Sequence, residues 1–390
     1  MDLEAFRWLL SPDGRRLLDR ASQVYDGRPD RALAAAGTLR REAAAEQVAA
    51  AMTQVELRRR AQAKFGDLAA AMFFTPDGLE QSTRLRVAAH RAARVAAAAP
   101  PSVIDLGCGI GGDLVAFARA GLTAAGVDRD PLRVAVATAN LEALGLGGAV
   151  QLADATELDL GGFGVVFADP ARRTDRGRVF DLDAYTPPWS FVARLLRRPA
   201  VVKIAPGIPH DVVPDGVEAE WVSDEGDLKE ASLWSPQLAT VRRRATVIRP
   251  SGLATLTDED DPGEQSLRTV GRVLYEPDDA VIRAGLVTAV AAGVHGGLVD
   301  EHIAYVTGDA TFATPFAKAY EVLEQMPFME KPLRAALRLR GVGRLTIKKR
   351  GVDVVPEELR KRLALQGTEE ATLVLTRVAG KGTAMLVRPL

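Results

Sequence analysis

The feature that most constrains the fold of this chain is the stretch VIDLGCGIGGD, which spans residues 103–113. An apolar run that carries Asp105 breaks into glycines at positions 107, 109, 111 and 112, and a helix-like segment follows from Asp113 to Ala120. A buried strand, a tight turn and a helix in this order are typical of the first unit of a doubly wound α/β domain. Glycines in such a turn let the backbone approach a ligand closely, because a Cβ atom would occupy that space. The stretch therefore predicts a mostly parallel sheet with a ligand site at this turn.

The carboxylate of Asp105 indicates which ligand fits the turn. Gly107, Gly109 and Gly112 match the G-x-G-x-x-G spacing of dinucleotide-binding turns, so the glycines alone would also suit a nicotinamide cofactor. A pyrophosphate over this turn would be repelled by Asp105, whereas an amino group would be attracted. S-adenosylmethionine (SAM) has an amino group and no phosphate. We therefore expect Asp105, Gly107 and Gly109 to hold the methionine end of SAM, and a nicotinamide oxidoreductase is the weakest alternative.

Three further predicted strands also lead into acids. Asp128 is placed to accept from both hydroxyls of a ribose, and Asp154 to accept from the adenine amino group. Asp169 follows the next strand and directly precedes Pro170. Each acid could instead cap the helix after it, but four in succession, counting Asp105, favour one shared ligand edge. The strands concerned are predicted at Leu122–Val127, Val150–Ala153 and Gly164–Ala168.

This order of motifs resembles the class I SAM-dependent methyltransferases, and the resemblance covers residues 73–249. It implies an enzyme with a Rossmann-like SAM methyltransferase sheet. Apolar residues at helical spacing predict an N-terminal helical region, and mixed helix and strand patterns predict a C-terminal α/β domain. The fold class is therefore α/β, with expected domains at residues 1–98, 99–252 and 268–390.

A second resemblance is carried by the segment ahead of the glycine strand, where Phe74, Thr75, Pro76 and Asp77 form an aromatic-Thr-Pro-acid sequence. The trimethylguanosine synthase family, which methylates the exocyclic amine of capped guanosine in RNA, has a similar segment that helps to cover the cofactor. The similarity continues through the glycine turn, Asp128 and Pro131. It implies that Thr75 lies at the cofactor and that the acceptor is a base nitrogen such as a guanine exocyclic amine.

The acceptor site is expected at Asp169 and Pro170. Amine-directed methyltransferases usually have Asp/Asn/Ser-Pro-Pro-aromatic here, because the acid or the adjacent carbonyl accepts from the target amine while an aromatic ring stacks on the base. This chain has Ala171 and Arg172 at the last two positions. Arg172 could stack through its guanidinium plane, or Tyr185 and Trp189 could take that place, although Trp189 is at least as well explained as a core residue. Arg172 and Arg173 are the predicted substrate contacts, although a solvated loop would also tolerate these arginines.

The chain between the two α/β domains gives weaker signals. Residues 217–222 and 239–248 are expected to form an antiparallel pair of strands, with residues 224–235 as the excursion between them. Proline, serine and glycine at 250–252 and the acidic run at 258–263 indicate a linker. A strand over 273–277 and a single helix over 278–292 are expected to follow.

The C-terminal segment is strongly basic. Residues 331–390 contain 14 Lys and Arg against 5 Asp and Glu. The predicted order of helix, strand, helix, strand and strand resembles the THUMP-like RNA-binding modules attached to RNA methyltransferases. Lys348, Lys349 and Arg350, at the end of its basic strand, are the expected RNA contacts. An ordinary charged surface on a small domain is the alternative.

Composition excludes several other classes. The formal net charge of the whole chain is −1, so nucleic-acid binding has to rest on local charge. The single cysteine, Cys108, fits a reducing cytoplasm. No signal peptide or membrane-spanning run is apparent. The four histidines show no ligand spacing, so no metal site is expected, and no obligate protein partner is evident.

Three functions remain open from the sequence. The preferred one is a cytoplasmic SAM-dependent methyltransferase that acts on RNA. The second is a methyltransferase for a protein or small molecule. The third is an RNA-binding protein whose SAM fold is inactive, which the altered Ala171-Arg172 pair allows.

Overall fold

The computed structural model describes residues 1–172 and 185–390. Contacts divide the chain into two compact units, the first made of Met1–Glu218 with Ala231–Thr240 and the second of Ala219–Glu230 with Val241–Leu390. Within the described ranges, no helix combines the length and the apolar character that a bilayer crossing requires.

The first unit begins with helices, as the apolar spacing predicts. Ser11 caps the second helix by accepting from the Gly14 amide, and Pro12 occupies its first position. The longest helix of the region starts at Ala45, where the Gln47 side chain accepts from the Ala44 amide. The six helices are α1 (Leu3–Leu10), α2 (Pro12–Val24), α3 (Ala32–Leu39), α4 (Ala45–Phe65), α5 (Pro76–Gln81) and α6 (Leu85–Ala97). Helices α1 to α5 share one core, whereas α6 buries Ala88, Ala92 and Val95 in the core of the adjoining sheet.

The sheet of the first unit confirms the Rossmann-like expectation. Its strands are β1 (Val103–Leu106), β2 (Ala124–Asp128), β3 (Ala149–Leu152), β4 (Val165–Ala168), β7 (Ala200–Ile204) and β9 (Asp227–Trp234). They lie in the order β9-β7-β4-β1-β2-β3, parallel except for β9. The order reverses between β1 and β4, which is where such sheets bind ligands. The intervening elements are α7 (Gly112–Arg119), α8 (Pro131–Ala143), α9 (Trp189–Leu195) and the short ribbon of β5 (Ala171–Arg172) with β6 (Tyr185–Thr186).

The connecting region differs from the expectation at two places. Strand β8 (Glu218–Asp224) pairs with β10 (Arg243–Arg249) in parallel and not antiparallel, because the supposed excursion is the strand β9, which reverses the chain between them. The expected linker contains β11 (Gly252–Thr257), which pairs antiparallel with β10. Alternating threonines and apolar residues in β11 were the signal for a strand.

A seven-stranded sheet forms the rest of the second unit, in the order β13-β14-β12-β15-β18-β17-β16. Its helix between residues 278 and 292 is broken, since Gly285 adopts φ +69° and ends α10. The later helices and strands confirm the expected alternation. The elements are β12 (Val273–Pro277), α10 (Asp279–Ala284), α11 (Val287–Gly293), β13 (Gly297–Asp300), β14 (Ile303–Gly308), β15 (Ala317–Pro327), α12 (Glu330–Leu339), β16 (Val342–Lys349), α13 (Pro356–Leu363), β17 (Glu369–Val378) and β18 (Lys381–Pro389).

This sheet is curled and has two different faces. One face packs against α12 and α13 in a leucine-rich core, and the other encloses Tyr305, Tyr320 and Met385. The curl brings the turn after β17 to β13, where the Gly380 amide donates to the Asp300 carboxylate at 2.7 Å. Strand β13 at one edge of the sheet therefore lies next to β17, the last strand but one towards the other edge.

Candidate active site and basic surface

The glycine turn leaves room for a ligand beside the backbone. Gly107, Gly109 and Gly111 have φ values of +77°, +57° and +84°, which only glycine adopts readily. A Cβ at Gly107 or Gly109 would meet no atom within 4 Å, whereas one at Gly111 would lie 3.2 Å from the Ala137 Cβ. The first two glycines therefore face open space, and the third lets α7 pack closely on α8.

Asp105 is a buried acid in an acidic neighbourhood, with 2% of its surface exposed. Burial raises the pKa of its carboxyl well above the usual range, and the carboxylates of Asp113 and Asp169 raise it further. The guanidinium of Arg91, which forms a buried ion pair with Asp113, acts in the opposite direction. A cationic group of a ligand would offset this repulsion, so the position suits the amino group of SAM.

Asp128 is fixed against the same turn. It is the last residue of β2, and its carboxylate accepts from the Gly109 amide at 2.9 Å and from the Asp130 amide at 2.9 Å. Each carboxylate oxygen keeps a second lone pair for a ligand hydroxyl. The structure thus brings Asp105, Gly109 and Asp128 together, as expected.

Asp154 is exposed, unlike the other two acids. It follows the edge strand β3. Its Oδ1 accepts from the Thr156 amide at 2.8 Å and the Thr156 hydroxyl at 2.7 Å, and these bonds lower the pKa of Asp154. The carboxylate therefore stabilises the turn formed by residues 154–156 through Oδ1, and Oδ2 can accept from a ligand.

Asp169 is paired with a lysine from the neighbouring strand. Lys203 in β7 donates to Asp169 Oδ2 at 2.6 Å and to the Thr83 hydroxyl at 3.3 Å. The charge inside β7 is explained because β4 and β7 are neighbours, so Lys203 reaches the acid that follows β4. Pro170 is buried beside it. Of the predicted substrate contacts, Arg172 belongs to β5, and Arg173 lies outside the described residues.

The aromatic-Thr-Pro segment lies against the glycine turn. Thr75 caps α5, its hydroxyl accepting from the Gly78 amide at 3.0 Å. A Cβ at Gly78 would overlap the Ile110 side chain, so α5 begins in direct contact with the turn. The hydroxyl of Thr75 thus has a structural partner, and the segment itself forms one wall beside the turn.

Two buried amides that the sequence analysis missed hold this wall in place. Asn140 accepts from the Phe73 amide at 2.6 Å and donates to the carbonyls of Phe73 at 3.1 Å and Ile110 at 2.8 Å. Gln54 exchanges two similar bonds with the Phe74 backbone. The available signal was a single asparagine in the otherwise small and apolar run at the end of α8.

Replacing Asn140 with alanine is expected to destabilise the first unit by about 3 kcal/mol, because it leaves buried backbone groups of Phe73 and Ile110 without partners. Thr138→Ala on the same helix is the control, since the Thr138 hydroxyl bonds only to the carbonyl of Val134. Urea unfolding of the two variants measures the difference. Equal small losses would show that the Asn140 bonds do not stabilise the wall.

In the second unit, the three predicted RNA contacts do not form one surface. Side chains alternate along β16, so Lys348 lies on the inner face of the sheet and Lys349 on the helical face with Ile347. Lys348 lies over the Tyr320 ring at 5.6 Å and Arg350 over the Tyr305 ring at 5.4 Å. The structure brings Lys348 and Arg350 together and separates Lys349 from them.

The helical face carries further exposed or half-exposed cations. Within the described part of the chain, five Lys and Arg side chains on this face form no ion pair: Lys331, Arg334, Arg338, Lys349 and Lys361. We call these five residues the basic face. It concentrates positive charge on the side of α12 and α13, a distribution typical of surfaces that contact phosphates.

Two family models match parts of this chain. Residues 317–389 match the THUMP domain-like family, and residues 2–61 match a domain of unknown function, DUF8688. The crystal structure of a Porphyromonas gingivalis W83 protein assigned as a methyltransferase covers 96% of this chain and 98% of its own, with a TM-score of 0.74 and 22% identity. This likeness shows the fold.

Two curated proteins show the family. They come from Mycobacterium tuberculosis strains CDC 1551 / Oshkosh and ATCC 25618 / H37Rv and are described as uncharacterized S-adenosylmethionine-dependent methyltransferases. Each is 38% identical to this chain over 349 residues, which are 85% of this chain and 95% of the relative. The expected enzyme class and cofactor are thereby confirmed: the chain belongs to the SAM-dependent methyltransferases and carries a THUMP-like domain in its second unit.

Proposed function

We propose that this enzyme transfers the methyl group of SAM to RNA, at a base nitrogen such as a guanine exocyclic amine. The observation that carries the proposal is the placement of Asp169. It follows β4 at the same sheet edge as Asp105 and Asp128, and Lys203 pairs with it at 2.6 Å. A carboxylate held in place beside the cofactor site is what an amine acceptor needs for orientation.

The cofactor residues are assigned by their surroundings. The Asp105 carboxylate receives the amino group, with the backbone of Gly107 and Gly109 alongside, and Asp128 receives the ribose hydroxyls. Asp154 contributes Oδ2 to the adenine amino group. Thr75 contributes through the wall that it caps, since its hydroxyl bonds to Gly78. Bound SAM supplies an electrophilic methyl group on a positively charged sulfur.

The acceptor chemistry relies on positioning. Lys203 occupies Asp169 Oδ2, so Oδ1 is the oxygen that accepts a proton of the target amine and directs its lone pair. The ion pair with Lys203 holds the Asp169 carboxylate in place, and a carboxylate oxygen can only accept. Pro170 restricts the backbone next to this acid. An amine can lose its proton after the attack, so no strong general base is required, and alignment supplies most of the rate.

RNA is favoured as the substrate by the second unit. The THUMP domain-like match covers residues 317–389 and therefore includes the whole basic face. Arg172 and Arg173 are proposed to contact the substrate next to Asp169. The guanine exocyclic amine follows from the similarity of the segment around Thr75 to the trimethylguanosine synthases. The single cysteine supports action in the reducing cytoplasm.

Affinity for SAM is expected to rise with pH while Asp105 is partly protonated. Because the pKa of Asp105 is raised, its carboxyl group in the free enzyme keeps a proton up to a higher pH than usual. The positively charged amino group of bound SAM would favour the ionised carboxylate. Binding then releases a proton, and the dissociation constant falls by up to about tenfold per pH unit below that pKa.

Calorimetry in buffers of different ionisation enthalpy measures the released proton. The matched variant is Asp105→Asn, which keeps the shape and removes the titrating group, so its proton release should vanish. Equal proton release in both proteins would contradict the assignment of Asp105.

The proposed substrate is tested by comparing modified nucleosides in total RNA from cells with and without the gene. Loss of one methylated guanosine supports the proposal. An unchanged nucleoside profile, with a methyl group missing from a protein or small molecule, would favour the second function considered from the sequence. An unchanged profile in all fractions would favour an inactive RNA-binding protein.

A further inference from the structure

The second unit contains a polar cavity that the methyl-transfer site does not use. It has a volume of about 200 Å³ and is lined by residues of β12, β15 and β16 of the seven-stranded sheet. Its charged side chains are four cations, Arg249, Lys318, Lys348 and Arg350, and three acids, Glu276, Asp278 and Asp279.

Two of its cations are already paired inside the cavity wall. Lys348 forms an ion pair with Glu276 at 2.7 Å, and Arg350 forms a looser pair with Asp279 at 3.7 Å. Burial acts to lower the pKa of Lys348, but the hydrogen bond and charge of Glu276 outweigh it, so the pKa is raised and the ammonium stays protonated. These pairs place two charges of each sign in the cavity wall.

The other two cations have no acid bound to them among the described residues. Arg249 donates from Nε and Nη2 to the Pro315 carbonyl at 3.1 and 2.8 Å, and this acceptor is neutral. Lys318 is exposed and stands opposite Glu276 in the strand register, while Glu276 itself binds Lys348. Gly226 lies next to Lys318, where a Cβ would come within 3.5 Å of its Nζ. The third acid of the lining, Asp278, accepts from the Ala280 amide at 3.0 Å. With four cations against three acids, the cavity keeps an excess of one positive charge.

We infer that this cavity binds one phosphate group, with Lys318 and Arg249 as the residues that contact it. An ammonium and a guanidinium arriving from different strands can share the several oxygens of a phosphate. A carboxylate offers only two oxygens. The volume is several times that of a water molecule and admits a phosphate with part of its ester group. The site goes beyond the proposed methyl transfer and does not depend on it. The phosphate belongs either to an RNA end or to a free nucleotide.

Titration of the full-length protein with inorganic phosphate, followed by ³¹P NMR or calorimetry without SAM, tests the site. One saturable site is expected, and Lys318→Ala should weaken it at least about tenfold, as the loss of a charged hydrogen bond implies. Arg249→Gln should weaken it similarly. Lys381→Ala, an exposed lysine of the same unit outside the cavity, should leave it unchanged. Acetate should bind much more weakly than phosphate.

Absence of saturable phosphate binding would overturn the inference, as would equal binding by the wild type and Lys318→Ala, or acetate bound as tightly as phosphate. Competition experiments distinguish the two possible sources of the phosphate, an RNA end and a free nucleotide. A 5′-phosphorylated oligoribonucleotide that outcompetes both its 5′-hydroxyl form and AMP identifies an RNA end, whereas stronger competition by AMP identifies a nucleotide. Because no methyl transfer is measured, failure of the proposed function would leave this test intact.

Discussion

Asp169→Ala is expected to lower the rate of methyl transfer on the true substrate by about 10²- to 10³-fold and to leave SAM affinity nearly unchanged. The variant removes the oxygen that orients the acceptor amine, whereas the residues assigned to the cofactor remain. Asp169 also raises the pKa of Asp105, so its removal favours the Asp105 carboxylate, and SAM binding should become no weaker. Single-turnover kinetics with saturating SAM, together with calorimetry, separate these two effects.

Lys203→Met is the companion variant. It should lower the rate less than Asp169→Ala does, because it removes the hydrogen bond to Asp169 Oδ2 but leaves the carboxylate in the chain. In the double variant Lys203→Met with Asp169→Ala, the rate should equal that of Asp169→Ala alone, since the lysine acts through the acid. A fully active Asp169→Ala protein would contradict the amine-orienting mechanism. Additive losses would show that Lys203 acts on its own.

Reversing three cations of the basic face is expected to weaken RNA binding on the order of 100-fold and to reduce its salt dependence. The variant is Lys331→Glu with Arg338→Glu and Lys361→Glu. Each phosphate contact on single-stranded RNA contributes roughly −0.7 to the slope of log affinity against log salt, so losing three should flatten the slope by about 2. Gel-shift titrations at several salt concentrations give both quantities.

The matched control reverses three exposed cations of the first unit, Arg7, Arg16 and Arg40, and so changes the net charge equally. It should bind RNA nearly as the wild type does, because long-range repulsion is screened at ordinary salt. If both triple variants lose affinity equally, total charge governs binding and the basic face is not the contact surface.

The first unit was largely predictable from sequence because its chemistry follows the strand order. Parallel strands end at one edge, so Asp105, Asp128 and Asp169 could be assigned to a common site from their positions alone. The partner of Lys203 could not be assigned in this way. The pairing requires β7 to lie beside β4. More than thirty residues separate these two strands in the chain, and sequence spacing does not show that they are neighbours.

The second unit shows what local patterns leave out. Lys348 and Lys349 are adjacent in sequence and were grouped as one surface, but strand alternation places them on opposite faces. Only the curl of the sheet brings Glu276 to Lys348 and so creates the cavity. The strands β9 and β11 were missed because the charges at the start of β9 and the short length of β11 resemble loops. Asn140 was missed because its three partners come from two distant segments.

The most direct test of the proposed reaction follows a labelled methyl group. The purified full-length protein is incubated with methyl-labelled SAM and total RNA from cells lacking the gene, and the RNA is digested to nucleosides. We expect the label in RNA, in a guanosine methylated on its exocyclic amine, and its loss with Asp169→Ala. RNA that stays unlabelled, or that is labelled equally with Asp169→Ala, would contradict RNA methylation through this site.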